Sequence, residues 1–303
     1  MMLIDTDPGL DDAHALAMAL GRVPAADLIV TTVAGNVGID EVTKNARLLV
    51  GAISPDVPVH RGAAGPLVGP AVAAAHIHGD DGMAGFDWGD GPISPLSSTP
   101  AATAIVDAAR RYGRDLTIVA LGPLTNLALA IRLDPSVPER IGPMIAMGGS
   151  PAGYGNASIN AEFNVYADPV ASEIVYSAVR DLTLITWDLT LTERFTRAEV
   201  EAFWPGDSAA ARTLRAIHDH RTATEPGYAA QDDFGRVDPL AMAIALDHRV
   251  VVTEQRHPVV VGYGGGLDHG LTAVDWRDAH PDRPAVRLPM TIDRARATSL
   301  YTL

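Results

Sequence analysis

Cysteine is absent from this chain of 303 residues. Disulfide bonds, thiolate metal sites and a cysteine nucleophile are therefore excluded. Basic residues are also scarce, since 23 Lys and Arg face 37 Asp and Glu, for a formal net charge of -14. Nucleic acid and anionic membranes attract clustered positive charge. We therefore expect neither as a partner, and a small, neutral substrate instead.

Long apolar runs and export signals are lacking as well. Met1 leads directly into an apolar stretch with no basic segment before it, and no later run is long enough to span a bilayer. We expect a soluble cytoplasmic protein with no membrane partner. Internal repeats and low-complexity linkers are also missing, so we expect residues 1–303 to form a single domain, as α/β folds of this size often do.

Acidic residues concentrate at the N-terminus. Leu3 and Ile4 end a predicted buried strand, residues 8–9 form a Pro-Gly turn, and residues 13–20 are good helix formers. Crowded carboxylates repel one another unless a cation holds them, and their oxygens suit Ca²⁺ or Mg²⁺. A single acid at a helix start is commonly only an N-cap. A cation site is favoured here because four acids lie within eight residues: Asp5, Asp7, Asp11 and Asp12.

Buried strands that alternate with helices predict the fold class. The β-branched run at residues 27–35 and the apolar run at 116–121 are typical of parallel strands covered on both faces. Helical patterns cover residues 42–53, 103–112 and 197–220. We predict an α/β fold with an open, mostly parallel, Rossmann-like sheet and helices on both faces. Ligands collect at the carboxyl ends of such strands, so we place the active site there, with Asn36 as a candidate residue. An Asn beside a Gly is equally ordinary in a turn.

Two irregular segments carry further candidate residues. Residues 76–89 include His78 and are rich in Gly, Asp and aromatic residues, which is typical of a functional loop or of a merely solvated connection. Residues 155–164 form a predicted nonhelical stretch. In it, Asn156, Glu162 and Asn164 supply the donors and acceptors that a polyhydroxylated ring requires. Taken alone, this stretch is equally consistent with an ordinary polar loop.

The first acidic block, Asp7-Pro8-Gly9-Leu10-Asp11-Asp12-Ala13, resembles the DPGxDDA signature of the inosine-uridine-preferring nucleoside hydrolase family. These enzymes cleave the N-glycosidic bond of ribonucleosides with a tightly bound Ca²⁺. Later blocks resemble other signatures of the family in the same order, so the resemblance covers essentially the whole chain. It also implies nucleoside salvage and assembly into a homodimer or homotetramer. The later blocks are Gly122-Pro123-Leu124-Thr125-Asn126, Ala161-Glu162-Phe163-Asn164 and Asp238-Pro239.

The resemblance implies a role for each matched residue. Asp7 would be the general base and Asp11 would orient the ribose 2′-hydroxyl. The remaining sugar hydroxyls would be held by the 155–164 segment, with Met147 under the ring and His78 near the base. The implied Ca²⁺ ligands are Asp7, Asp12, Asp238 and the backbone carbonyl of Leu121. The implied substrate-binding residues are Asp11, Asn36, Met147, Asn156, Glu162, Phe163, Asn164 and Asp238.

Val237 departs from the family pattern, which has a histidine as leaving-group acid or an aromatic residue at this position. Another donor is therefore expected, with His78 ahead of His218 and His220, or else a preference for bases that leave easily. The preferred nucleobase stays open. Val237 also suggests an alternative function, a ribose- or nucleoside-binding protein that has lost turnover. A Mg²⁺-dependent phosphatase would need a basic phosphate-holding residue, and the first block has none.

Overall fold

The structure of the protein is a computed structural model that describes residues 1–277 and 279–303. The strands are β1 (Met2–Thr6), β2 (Leu28–Thr32), β3 (Val59–His60), β4 (Leu96–Ser97), β5 (Thr117–Ala120), β6 (Met144–Met147), β7 (Leu182–Ile185), β8 (Arg194–Phe195), β9 (Phe234–Gly235), β10 (Val251–His257), β11 (Val259–Val261), β12 (Thr272–Val274) and β13 (Val286–Ile292).

The α-helices follow the strands along most of the chain. They are α1 (Leu10–Leu20), α2 (Ile39–Ile53), α3 (Ala75–His78), α4 (Ala101–Tyr112), α5 (Thr125–Leu133), α6 (Val137–Arg140), α7 (Phe163–Ala167), α8 (Pro169–Ala178), α9 (Trp187–Thr190), α10 (Arg197–Glu201), α11 (Ala209–Thr224), α12 (Pro226–Ala230), α13 (Val237–Leu246) and α14 (Arg294–Tyr301). Among the described residues, no helix is long and apolar enough to cross a membrane.

The central sheet has nine strands within the described residues, in the order β10-β13-β7-β6-β5-β1-β2-β3-β4. Its neighbouring strands are parallel except for the antiparallel pair β10 and β13. From β1 the chain builds β2, β3 and β4 on one side, and then crosses to β5 on the other side. The strand order therefore reverses between β1 and β5, which opens a crevice at their carboxyl ends. This confirms the predicted fold class.

Apolar side chains cover both faces of the sheet. Leu3 and Ile4 are fully inaccessible neighbours in β1, and they belong to two different core clusters because successive strand residues face opposite sides. The cluster around Ile4 includes side chains from α1, α2, α11 and α13. The cluster around Leu3 includes side chains from α4, α5 and α8. Helices therefore flank the sheet on both faces, as the near-continuous apolar strands predict.

Helix boundaries differ from the sequence prediction where capping decides them. Helix α1 begins at Leu10 rather than at residue 13, so Asp11 and Asp12 occupy its first turn. The Asp12 carboxylate accepts the N–H of Gly9 at 3.0 Å, and acids in a first turn complement the helix dipole. Helices α2 and α4 likewise begin earlier than predicted, at residues 39 and 101.

Two predicted segments are wrong in their interior. The helix predicted over 197–220 is divided into α10 and α11, because Pro205-Gly206 interrupts it and Ser208 caps α11 through Ala211 N–H. The stretch 155–164 is nonhelical only up to residue 162. Phe163 and Asn164 begin α7, whose N-cap is Glu162.

Candidate active site

One pocket of about 620 Å³ lies at the carboxyl ends of the central strands. This volume is within the range of small-molecule sites. Most of the residues singled out from the sequence line it. Asp5 and Asp12 are instead fully buried behind the wall, and His220 is not part of the lining. The lining includes Asp7, Asp11, Asn36, His78, Leu121, Met147, Asn156, Glu162, Phe163, Asn164, Val237 and Asp238.

Three carboxylates converge at the floor of this pocket. Each of Asp11, Asp12 and Asp238 has an oxygen within 4.8 Å of the other two. Burial raises the pKa of Asp238 well above its ordinary value, and the charges of Asp11 and Asp12 raise it further. Burial and the charge of Asp11 likewise raise the pKa of Asp12. Within the described residues, no Lys or Arg forms an ion pair with the three. Oxygen ligands grouped in this way are suited to a hard cation such as Ca²⁺ or Mg²⁺.

Asp7 lies beside this group, between two glycines. A Cβ at Gly35 would lie 2.1 Å from Asp7 Oδ2, and one at Gly122 would lie 2.5 Å from Asp7 Oδ1. Both positions therefore exclude a side chain, which explains the glycines in the loops that follow β2 and β5. Burial, followed by the charge of Asp12, raises the pKa of Asp7 well above its ordinary value. Asp7 is not a member of the converging trio, so its role as a metal ligand stays a prediction.

Asn36 connects the acids to one another. Its backbone N–H donates to Asp7 Oδ2 at 2.8 Å, and its amide Nδ2 donates to the Asp7 carbonyl at 3.0 Å and to Asp12 Oδ2 at 3.1 Å. Thr6 Oγ1 donates to the other oxygen of Asp12 at 2.5 Å. Asn36 thereby sets the separation of two carboxylates, in addition to lining the pocket.

Glu162 and Asn164 organise the opposite wall. The Glu162 carboxylate accepts the backbone N–H groups of Gly149, Asn164 and Val165, at 2.8, 2.9 and 3.2 Å. The Asn164 amide Nδ2 donates to the Leu121 carbonyl at 2.6 Å and to the Met147 carbonyl at 3.2 Å. A carbonyl oxygen has two lone pairs, so this hydrogen bond leaves one on Leu121, and its role as a metal ligand stays a prediction.

Asn156 is exposed at the rim of the same wall. Its Oδ1 accepts the N–H of Phe163 at 2.8 Å, which ties the rim to the start of α7. No hydrogen bond of its amide nitrogen is seen among the described residues, so a role for this group in substrate binding stays a prediction. The structure brings Asn156, Glu162 and Asn164 to one wall, as the sequence predicts.

Three histidines differ in what they contact. His78 lines the pocket, and its Nδ1 accepts the N–H of Leu10 at 3.2 Å, so Nε2 is its remaining donor. His218 also lines the pocket, with Nδ1 2.8 Å from the Tyr228 hydroxyl, and burial lowers its pKa. His220 Nε2 donates to the Ala84 carbonyl at 3.0 Å and so holds the 79–88 loop.

His14 and Arg236 also line the pocket, and neither is among the candidate residues predicted from the sequence. His14 Nε2 donates to the Tyr301 carbonyl at 2.8 Å, and its buried Nδ1 has no partner. Burial and then the charge of Arg236 lower the pKa of His14 to about 3, so its ring is neutral. Both residues stand within or beside the matched blocks, His14 two residues after Asp12 and Arg236 directly before Val237. That proximity was the signal available in the sequence.

The family model described as inosine-uridine preferring nucleoside hydrolase matches residues 2–299. The chain belongs to this family. It is 35% identical over 298 residues to the inosine-uridine preferring nucleoside hydrolase of Leishmania major, covering 96% of this chain and 93% of that protein. It is 43% identical over 190 residues to the non-specific ribonucleoside hydrolase RihC of Salmonella paratyphi B, covering 62% of this chain and 61% of that protein.

The solved structure of the plant nucleoside hydrolase PpNRh1 superposes with a TM-score of 0.87 at 30% identity, covering 99% of this chain and 97% of that one. Nucleoside hydrolases are N-glycosyl hydrolases, and this family member is an enzyme of that class. The resemblance inferred from the four sequence blocks is thereby confirmed.

Proposed function

We propose that this enzyme hydrolyses the N-glycosidic bond of ribonucleosides, releasing free base and ribose, with Ca²⁺ bound at the acidic floor of the pocket. The observation that carries the proposal is the convergence of Asp11, Asp12 and Asp238 beside a pocket of substrate size. Glycosidic cleavage builds positive charge on the sugar, which nearby carboxylates stabilise. The names of the relatives from Leishmania and Salmonella support the substrate class.

The donor set fits a hard divalent cation. Asp11 Oδ1 is enclosed and has no hydrogen-bond partner, which is a costly state that a cation would relieve. Asp12, Asp238, the Leu121 carbonyl and either Asp7 or Asp11 would hold the ion. When bound, Ca²⁺ would lower the pKa of a water molecule and bind ribose hydroxyls.

Asp7 is the proposed general base. Its Oδ2 accepts the N–H of Asn36, so Oδ1 is the atom that accepts a proton from water. The resulting hydroxyl adds to C1′ of the ribose while the bond from C1′ to the base nitrogen breaks. Asp11 is proposed to orient the 2′-hydroxyl, and its negative charge stabilises the cationic sugar.

The opposite wall is proposed to hold the rest of the ribose. Asn156 and Glu162 would contact the 5′-hydroxyl, and Asn164 the inner hydroxyls. Met147 would pack under the ring and Phe163 beside it. A carboxylate offers about four lone-pair sites. Since three backbone N–H groups occupy Glu162, one site is left for a hydroxyl.

His78 is proposed to contact the nucleobase through Nε2. Because the N–H of Leu10 occupies Nδ1, the Nε2–H group is the one that can donate to the leaving base. A second contribution to the departure of the base is needed.

The test is the release of free base and reducing sugar from inosine, uridine, adenosine, cytidine and 2′-deoxyinosine. We expect turnover of the ribosides, its loss on dialysis against a chelator and its return with Ca²⁺. Asp7→Asn should lower kcat by about 10²–10⁴-fold, whereas Asp56→Asn, an exposed matched control, should not. Equal turnover of inosine and its 2′-deoxy analogue would contradict the ribose assignment. Full activity of metal-free protein would contradict the role of Ca²⁺.

Val237 favours one alternative, a nucleoside-binding protein of the same fold without turnover. Such a protein would show thermal stabilisation by ribose or nucleosides in the presence of Ca²⁺ and release no base. The buried, positioned carboxylate of Asp7 supports turnover, because a binder has no use for a general base at this place.

Two further proposals follow from the family resemblance and concern the whole protein. We propose a cytoplasmic location and assembly into a homodimer or homotetramer. Light scattering coupled to size-exclusion chromatography measures the second property directly, and a purely monomeric mass at working concentration would contradict it.

A further inference from the structure

Arg236 is a pocket residue that has no acidic partner among the described residues. Its side chain lines the pocket between β9 and α13, directly before Val237. Its Nε is enclosed and has no hydrogen-bond partner. In the part of the chain that the structure describes, its guanidinium makes no ion pair, and its nearest aromatic ring centroids, those of Phe203 and Phe234, are 5.9 and 6.0 Å away.

Neighbouring arginines of the same region are fully engaged. Arg221 Nε donates to Glu225 at 2.9 Å, and the guanidinium covers the Tyr228 ring at 4.2 Å. Arg197 donates to the Tyr228, Ala229 and Gln231 carbonyls. These two arginines tie α10 and α11 to residues 225–231, whereas Arg236 has only the distant ring contacts with Phe203 and Phe234.

Arg236 is half-buried, and an enclosed nitrogen without a hydrogen-bond partner, such as its Nε, is costly. A guanidinium in this state at a pocket wall is well placed to bind an acceptor on a ligand. Among the described residues, no acid on the pocket floor forms an ion pair with it, although the charge of Asp11 acts on it. A ligand atom that binds the Arg236 guanidinium must therefore be a hydrogen-bond acceptor, either uncharged or negatively charged. In the proposed reaction, which this inference takes as its basis, negative charge develops on the departing base.

We infer that Arg236 binds the leaving nucleobase and stabilises its negative charge, and that the preferred substrates are 6-oxopurine ribonucleosides such as inosine and guanosine. The guanidinium is a planar fork that matches the adjacent O6 and N7 acceptors of a 6-oxopurine. Adenine presents an amino donor in place of O6 and opposes the fork. Arg236 thereby stabilises the leaving base, which the apolar side chain of Val237 cannot do.

The bond changes balance without a histidine acid. Water loses a proton to Asp7 and its oxygen bonds to C1′. The electron pair of the broken bond stays on the base, where Arg236 holds it as an anion delocalised onto O6 and N7. The base then takes up one proton, equivalent to the one that Asp7 returns to solvent, so that ribose and neutral base leave.

The experiment compares Ca²⁺-loaded wild type, Arg236→Met, Arg236→Lys and Arg110→Met on inosine, adenosine and p-nitrophenyl riboside. Arg110 is a surface residue paired with Asp134 and serves as the matched control. We expect Arg236→Met to lower kcat on inosine by about 10²–10³-fold, but to change kcat on p-nitrophenyl riboside by less than a few-fold, because p-nitrophenolate leaves easily. Lys keeps the charge but not the fork, so its effect should be intermediate.

Two readouts separate this role from a structural one. Hypoxanthine should inhibit cleavage of p-nitrophenyl riboside at least ten times more weakly in Arg236→Met than in wild type, with adenine inhibition unchanged. Wild-type kcat on inosine should also show no fall from pH 6 to 9, because guanidinium stays protonated, whereas a histidine acid would impose one.

Equal losses of activity on all three substrates, or full activity of Arg236→Met on inosine, would overturn the inference. The proposed function would still stand in either case if the wild type releases free base. Absence of base release by wild type from every substrate would overturn the proposed function itself. Removing an unpaired cation should leave the thermal midpoint equal or higher, so a large drop in the midpoint of Arg236→Met would also contradict the inference.

Discussion

Asp238 is the carboxylate that brings the far end of the chain to the acidic floor. Asp238→Asn removes one of several mutually repelling buried charges at nearly constant shape. We therefore expect the metal-free variant to unfold at the same or a higher temperature than metal-free wild type. Ca²⁺ at 100 times its Kd should stabilise wild type by about 2.7 kcal/mol, and the variant by much less.

Thermal unfolding with chelator and with Ca²⁺ measures both effects for Asp238→Asn. The exposed Asp56→Asn serves as the control and should respond to Ca²⁺ like wild type. An equal gain from Ca²⁺ in Asp238→Asn and wild type would place the ion elsewhere.

Asp5 lies under the site in β1. Burial raises its pKa to about 6, although hydrogen bonds from Thr31 and Asn126 act to lower it. Its ordinary pKa is 3.8. Because the folded value is the higher one, the stabilising contribution is complete below about pH 4 and is lost as the pH rises through 6. This loss should reach about 3 kcal/mol by pH 7.

Urea unfolding of wild type and Asp5→Asn from pH 4 to 7 tests this assignment. The variant cannot ionise at this position, so the difference between the two unfolding free energies should change with pH. Curves that stay parallel would show that Asp5 has the same pKa in the folded and unfolded chain.

At the scale of elements, α7 depends on a charged cap. Glu162 accepts three backbone N–H groups, from Gly149 and from the first turn of the helix. Glu162→Gln replaces one acceptor oxygen by a donor, so at least one N–H loses its partner. We expect a loss of about 1–3 kcal/mol in the free energy of unfolding.

The same variant should discriminate less between inosine and 5′-deoxyinosine, since the last lone-pair site of Glu162 is proposed to accept the 5′-hydroxyl. Denaturant unfolding and kcat/KM on the two nucleosides measure the two effects, with the exposed Glu139→Gln as control. An unchanged ratio of kcat/KM with reduced stability would limit Glu162 to capping.

At the scale of the whole molecule, strands from both ends of the chain share one sheet. β1 lies inside the sheet between β5 and β2, β13 and β10 extend the sheet beyond β7, and α13 packs against α1. Neither half of the chain contains a finished sheet. We therefore expect the proposed single domain, residues 1–303, to unfold in one cooperative transition, with equal calorimetric and van't Hoff enthalpies. Two resolved calorimetric transitions would contradict this prediction.

Properties that depend on neighbours in the chain could be predicted from the sequence. The buried strand before Asp7, the parallel α/β class and the polar 155–164 segment follow from local composition and from short motifs, and the ribose side of the pocket is made of those motifs. Helix boundaries are the part of this prediction that local capping and helix-breaking residues make wrong. The hydrogen bond of Asp12 to Gly9 lets α1 begin at Leu10, before the predicted start. Pro205-Gly206 separates α10 from α11, although the helical apolar spacing continues on both sides.

Only the tertiary structure decides what meets across the chain. The sequence names Asp11, Asp12 and Asp238 as acids, but their approach to within 4.8 Å requires α13 to pack against α1. Likewise, no pattern of residues tells whether a guanidinium finds an acceptor. Arg197 and Arg221 find one and Arg236 does not, because hydrogen bonds form between atoms that folding brings together and not between neighbours in sequence.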